Sequence, residues 1–297
     1  MGKLIHIDDR SYRQFTAPKG YGWMGRKGPF GSIFSPLRDV VPRIPRSEWK
    51  DRIKAKQRGG LSKLLIAKGI PPSEQDGLNY CWAYGSTGTV ETLGMVQGTP
   101  YVQLSPESVG GPCSNWRNVG GYAEEAMTQL RDVGACAMSF MDAPNSLSPK
   151  RWKTGWEADR ANHQIDHEWN DVGDYEDTIT GPLEDLPVSA GLDWWGHLVQ
   201  FTDAVVLGNG GRLLVPLDGK VYTPKDGIYT RFVRALLSGG DPLATLDPVS
   251  TSEWDSGEVG IMFRNSWGDW GDEGFATLTE SKATPDGAFC PRVVTAH

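Results

Sequence analysis

The chain has little cysteine, little histidine and no long apolar run. Four cysteines (Cys81, Cys113, Cys136 and Cys290) stand among 297 residues. Setting one aside as a nucleophile leaves an odd three, a poor framework for a disulfide-stapled secreted domain. Cys113 to Cys136 is the pairing expected if one bridge forms. No stretch approaches the 18 or more apolar residues of a membrane span. The opening Met-Gly-Lys-Leu-Ile-His-Ile lacks the apolar core of a secretory signal, and His6 stands where myristoylation needs Ser or Thr. Synthesis in the reducing cytoplasm is therefore expected, with incorporation into a particle as a further destination. Positive charge is also short. The formal net charge of −7 argues against nucleic-acid binding, which needs a positive field. With 38% apolar and 23% charged residues, the composition is that of a globular protein with a sizeable core.

What is there concentrates in Gln75-Asp-Gly-Leu-Asn-Tyr-Cys81-Trp82-Ala83-Tyr84. The pattern from Cys81 to about Gln97 is helical, so the thiol sits at the positive end of a helix dipole, where a thiolate is favoured. The Gln75 amide, just upstream, can donate to an oxyanion beside that sulfur. Ser105 caps and Pro106 opens a second helix. Gly121 to Val133 is the clearest amphipathic helix, ended by Gly134. The segment from about 142 to 190 has no clear period and is expected to be loop-rich, with one helix near 149–160. After it the pattern turns to strands: His197–Leu207, a hairpin around Asp218-Gly219, Gly260–Asn265 and Gly274–Thr279. Helices first and antiparallel strands later indicate an α+β protein with two segregated halves.

His197 opens an apolar strand behind Trp194-Trp195-Gly196, and Asn265-Ser266-Trp267-Gly268 ends another. A carboxamide there can orient an imidazole, with tryptophan keeping water off it. Together these residues resemble the papain/cathepsin family of cysteine peptidases over most of residues 44–297. The motifs run in family order: Ile44-Pro-Arg-Ser-Glu-Trp49, Gln75 with Cys81-Trp82-Ala83, Leu104-Ser-Pro-Glu, Asn118-Val-Gly120-Gly121-Tyr122, Gly196-His197, and Asn265-Ser-Trp-Gly-Asp-Trp270-Gly. The resemblance implies a two-lobed papain-like fold, with a helical lobe over about 70–140, a β lobe over about 191–297 and a cleft between them. It implies Cys81 as nucleophile, His197 as acid/base partner in an ion pair, Asn265 as its orienter and Gln75 in the oxyanion hole. It further implies Gly120, Gly121 and Gly196 at the substrate and Trp267 as a shield; Trp195, beside the cleft, would stack on substrate or, the favoured reading, cap the ion pair. A polypeptide substrate follows, with no cofactor, metal, nucleic acid or membrane.

There are departures. His197 lies closer to Cys81, and Asn265 further from it, than the roughly 130–150 residues of the familiar pattern, so residues 209–258 form an insertion. Leu78 stands where the family has a disulfide cysteine. Residues 1–43 are too short for the usual inhibitory propeptide; rich in Gly, Pro and aromatics, they are expected to lie as an irregular arm along a surface. That arm suggests a second reading, a papain-fold structural or attachment component of a homo-oligomer or larger assembly such as a virion. A cleft filled by the arm or the insertion would favour that role. A transamidating thiol enzyme fits the glycine pair and the Asn-Ser-Trp-Gly block less well. The His163/His167 pair around Asp166 and the acidic run Asp171, Asp174, Glu176 and Asp177 are expected to be solvated rather than metal-binding.

Overall fold

The computed structural model describes residues 2–15, 22–165 and 169–293. His167 and Asp166 lie outside the described residues.

The helices come first. The basic stretch 50–68 forms two short helices rather than one, α1 (Trp49–Ala55) and α2 (Leu61–Ala67), because Gly60 takes φ 106° between them. Helix α3 (Cys81–Val96) runs through the centre and is buried almost all round, as a helix without a polar face must be. Gly85 lets the sheet approach closely: a Cβ there would stand 2.1 Å from a methyl group of Leu198. Helix α4 (Pro106–Ser114) begins as expected, with Ser105 Oγ accepting from the Ser108 N–H and Pro106 in the first turn. Helix α5 (Ala123–Asp132) carries Ala126, Met127 and Leu130 inward, and Gly134 at φ 87° follows it.

The strands are β1 (Ile5–Ile7), β2 (Trp169–Val172), β3 (Val188–Leu192), β4 (His197–Leu207), β5 (Leu213–Leu217), β6 (Lys220–Pro224), β7 (Leu246–Val249), β8 (Glu258–Arg264), β9 (Phe275–Leu278) and β10 (Gly287–Pro291). The main sheet has the order β1-β9-β8-β4-β3-β10-β2, and β5, β6 and β7 extend it from the far end of β4. All its pairings are antiparallel except β1 with β9. Strand β4 is buried on both faces along nearly its whole length, and its polar residues are paired: Gln200 Nε2 donates to Thr92 Oγ1, and Asp203 accepts the Ser62 N–H. One core lies on the sheet around Val199, Phe201, Ile261 and Phe263; another joins α3, α4 and α5 to the sheet through Trp82, Val109, Met127 and Phe289.

The expectation of a loop-rich 142–190 segment needs correction. Beyond a helix α6 (Trp156–Asp159) it contains β2, a helix α7 (Tyr175–Leu183) and β3. Residues 209–258 hold β5, β6, β7 and helix α8 (Tyr229–Leu237), with their own core of Leu213, Val215, Phe232, Val233 and Leu246.

The N-terminal segment is not laid along a surface. β1 joins the sheet edge, Trp23 and Phe34 enter the core under α3, and Leu37 enters the core on the sheet. Nor is the acidic run a solvated loop. Asp171 and Asp177 are each 1% exposed, because both hold arginines of the N-terminal segment. The four cysteines are all free, so the expected Cys113–Cys136 bridge is absent. Among the described residues no helix is long and apolar enough to cross a membrane. His163 sits 3.7 Å from Asp159, and the described residues hold no group of three His, Cys, Asp or Glu side chains suited to a metal.

Candidate active site

Helix α3 starts at Cys81 because Leu78, Tyr80 and Trp82 bury on three sides while the chain turns at Asp76 and Gly77, both with positive φ. The loop before it is tied across to the segment after β8. The Gln75 N–H donates to the Ser266 carbonyl (2.9 Å), and the Ser266 hydroxyl donates to Gln75 Oε1 (2.5 Å). Gln75 Nε2 donates to the Leu78 carbonyl at 2.6 Å, which engages one of its two amide hydrogens. The glutamine is fully buried and its head group is held from both ends.

His197 opens β4, the strand against which α3 packs. Its Nε2 lies 2.8 Å from Asn265 Oδ1, and the same oxygen accepts the Ser266 N–H at 2.8 Å. Because the backbone donor fixes Oδ1 as acceptor, the imidazole must carry its hydrogen on Nε2. Nδ1 is then the basic nitrogen, and it is buried without a hydrogen-bond partner. Trp267 stacks on the ring, with centroids 4.6 Å apart and planes at 29°, while Trp195 meets its edge at 5.1 Å. Trp195 is 2% exposed and packs against the histidine, in the capping position favoured for it over a substrate-stacking one.

The cleft in front of these groups is occupied. The N-terminal segment passes between the lobes, with Trp23 pairing to Gly121 in parallel. Gly121 N–H donates to the Gly22 carbonyl (2.9 Å), Met24 N–H to the Gly121 carbonyl (3.2 Å) and Trp23 N–H to the Gly196 carbonyl (3.2 Å). Two of the glycines assigned to substrate thus bind the protein's own backbone. Gly120 lies under the same strand, where a Cβ would meet the Gly22 carbonyl at 2.9 Å. Gly22 itself is required: a Cβ there would stand 2.8 Å from Cys81 Sγ and 2.5 Å from the Asn79 carbonyl.

This occupancy bears on the protonation of the pair. Burial pushes the Cys81 thiol up to about 12, although the N–H groups of Leu198, Gly22 and Trp82 near the sulfur pull the other way. Burial holds His197 down to about 4 against the Asn265 bond, which favours the charged ring. Burial in the closed state thus disfavours the charged form of both Cys81 and His197, the two forms that the ion pair expected from sequence requires.

Sequence reasoning missed four contributors. Ser266 was only part of a motif, yet it positions both Gln75 and Asn265. Gly22 and Trp23 lie in Tyr21-Gly-Trp-Met-Gly-Arg-Lys-Gly, whose density of glycine and aromatics was the available signal. Asp171, with Arg26 bound to both its oxygens, carried no signal beyond its charge.

No known family's sequence profile matches the chain, and no curated protein matches it. Solved structures do. Digestive procathepsin L 3 of the Tenebrio molitor larval midgut aligns with a TM-score of 0.52 at 16% identity, covering 99% of this chain and 84% of that one. Procathepsin B S9 from Trypanosoma congolense aligns with a TM-score of 0.50 at 10% identity, covering 93% and 88%. Against the proform of the ragweed pollen allergen Amb a 11 cysteine protease the TM-score is 0.47 at 16% identity, over 75% of this chain and 63% of that one. The chain spans less than two thirds of that last protein's length. The chain has the papain-like cysteine protease fold.

Proposed function

We propose that this papain-fold chain is a cysteine peptidase held latent by its own N-terminal segment. The observation that carries the reading is the oriented pair: His197 Nε2 on Asn265 at 2.8 Å with Nδ1 left basic and unpartnered, on the strand that packs against the Cys81 helix. With Gly22 lifted away, water and substrate re-enter, burial no longer penalises charge, and the helix start and neighbouring N–H groups favour the thiolate.

The proton of Cys81 Sγ then moves to His197 Nδ1, and the sulfur adds to a peptide carbonyl carbon. The carbonyl oxygen becomes an oxyanion, which the free amide hydrogen of Gln75 and the Cys81 N–H stabilise. His197 gives its proton to the leaving amine as the C–N bond breaks, leaving a thioester on Cys81. Water, losing a proton to Nδ1, attacks that thioester and releases the acid. Asn265 holds the ring throughout, and Trp267 keeps bulk water off the bond between them.

A specific observation favours the second reading as well. The cleft is filled by the arm, as expected of a papain-fold structural or attachment component. The two readings differ in whether the chemistry persists once the arm moves.

The test is labelling with an epoxide thiol inhibitor on the full chain carrying Arg26→Ala, which removes the segment's bidentate hold on Asp171 and leaves Gln75, Cys81, His197 and Asn265 unaltered. Cys81 should label rapidly at neutral pH, and adding His197→Ala or Cys81→Ser should abolish it. Gln75→Ala should lower peptide turnover about 100- to 1,000-fold without abolishing it. Labelling of Cys81 no faster than a free thiol, and independent of His197, would leave the structural role alone standing.

A further inference from the structure

The cleft holds a second built feature, a slot in the sheet. Gly191 on β3 and Gly287 on β10 are direct cross-strand partners. Glycine in a strand interior weakens it and marks a place where something approaches closely. Here both members of one pair are glycine, and the indole of Trp23 lies over them. A Cβ at Gly191 would meet that ring at 2.3 Å; one at Gly287 would meet the Arg26 side chain at 2.6 Å and the ring at 3.1 Å. The ring is 6% exposed, and its Nε1–H donates to Asp193 Oδ1 at 2.7 Å at the slot's rim. The rim is fixed independently of the indole: Asp193 N–H donates to Asp286 Oδ2 (2.7 Å) and Asp286 N–H to the Gly191 carbonyl (3.0 Å).

The residue that fills the slot is also the one whose backbone pairs with Gly121 and donates to Gly196. A substrate that takes those backbone partners puts a side chain where the indole now lies. Bare sheet below selects a flat ring, and a carboxylate at the rim rewards a ring that donates a hydrogen bond from its edge. A β-branched side chain cannot cover the glycine floor, an acidic one sets a second negative charge beside Asp193, and a lysine could pair with that carboxylate but leaves the floor uncovered.

We infer that the Gly191–Gly287 slot with Asp193 is a specificity pocket for tryptophan, and that Trp23 closes the cleft by imitating the side chain this peptidase selects. This rests on the peptidase reading for its biological use, but the pocket itself is testable without catalysis. Full-length Trp23→Ala should bind N-acetyl-tryptophanamide, followed by NMR shifts of the Gly191 and Gly287 amides, and wild type should not. N-acetyl-phenylalaninamide should bind about tenfold more weakly, and Asp193→Ala should erase that difference, as expected for losing one hydrogen bond to a charged group. Adding Gly191→Ala should abolish binding of both. Trp23→Phe, which keeps the packing and loses the donor, should raise the rate of Cys81 alkylation in the otherwise unaltered chain. The inference is overturned if Trp23→Ala, shown folded by circular dichroism, binds no tryptophanamide, or binds it equally with Gly191→Ala or Asp193→Ala. Inhibitor labelling of Cys81 is read separately, so an active enzyme with an unselective pocket and a selective pocket on an inactive protein give different results.

Discussion

Upstream of Gly22 the described residues of the N-terminal segment are held by a three-residue parallel strand whose Ile7 is buried in the sheet core. An ion pair between Lys282 and the solvent-exposed Asp9 and two half-buried aromatic edges add to that hold. Tyr12 meets Trp194 at 5.8 Å and Phe15 meets Trp270 at 6.3 Å. Downstream it is held by charge and core. Arg26 is bidentate on the buried Asp171, which also accepts the Gly31 N–H at 2.7 Å. Phe34 packs on Phe289, and Leu37 is buried in the sheet core. Edge contacts of this kind contribute about 0.5–1.5 kcal/mol each, whereas breaking a buried ion pair costs about 3–5 kcal/mol. The buried ion pair makes the C-terminal side the stronger anchor, so opening is expected to begin upstream of the sulfur.

The sharpest way to break that asymmetry is Arg26→Ala. It leaves the Asp171 carboxylate, 1% exposed, with the Gly31 N–H and without its arginine. A loss of about 3 kcal/mol or more in chemical unfolding is expected, together with exposure of Cys81. A cost below about 1 kcal/mol would mean that the downstream anchor is no stronger than the upstream one.

Acid and alkali provide the next test, because burial in the closed state disfavours the charged form of both Cys81 and His197. His197 is held at about 4 against its ordinary 6.5, so between those values the opened form takes up a proton that the closed form refuses. The closed state should lose stability as pH falls through that window. Cys81 is pushed up to about 12 from 9.0, so above about pH 9 the opened form releases a proton that the closed form keeps, and stability should fall again. Hydrogen exchange at Trp23 and Met24 should therefore be slowest between about pH 6.5 and 9 once corrected for intrinsic rates. His197→Gln should remove the acid limb alone.

Tyr12→Ala is the smallest change. It removes the edge contact to Trp194 and the Lys282 ammonium 3.9 Å over the tyrosine ring. A cost of about 1 kcal/mol is expected, with exchange rising in β1 and not at Gly31. Equal acceleration at both ends would dissolve the distinction between them.

The same contrast explains what was legible in the sequence. Helix α3, the Ser105-Pro106 start of α4 and the long strand β4 follow from local rules of capping, periodicity and burial, and their positions matched expectation closely. Gln75, Cys81, His197 and Asn265 were legible because each sits in a short motif on such an element. Helix α7 was hidden by Gly181 and Pro182 in its last turn, β2 by the polar residues of Trp-Asn-Asp-Val, and β3 by Gly191. The polar residues of β2 and the glycine of β3 make sense only against the arm: Asn170 and Asp171 hold it, and Gly191 makes room for Trp23. Contacts between residues more than 100 positions apart leave no local period to read. The arm's path was invisible for the same reason, although its composition was conspicuous.

Alkylation of the native full chain with iodoacetamide, followed by mass spectrometry at neutral pH, tests the central claim most directly, with the exposed Cys113 as internal reference. A latent, arm-closed site predicts that Cys81 reacts more slowly than Cys113 in wild type and faster than Cys113 in Arg26→Ala, with the increase lost in Arg26→Ala/His197→Ala. Cys81 reacting faster than Cys113 in wild type, or remaining slower in Arg26→Ala with the arm displaced, would contradict it.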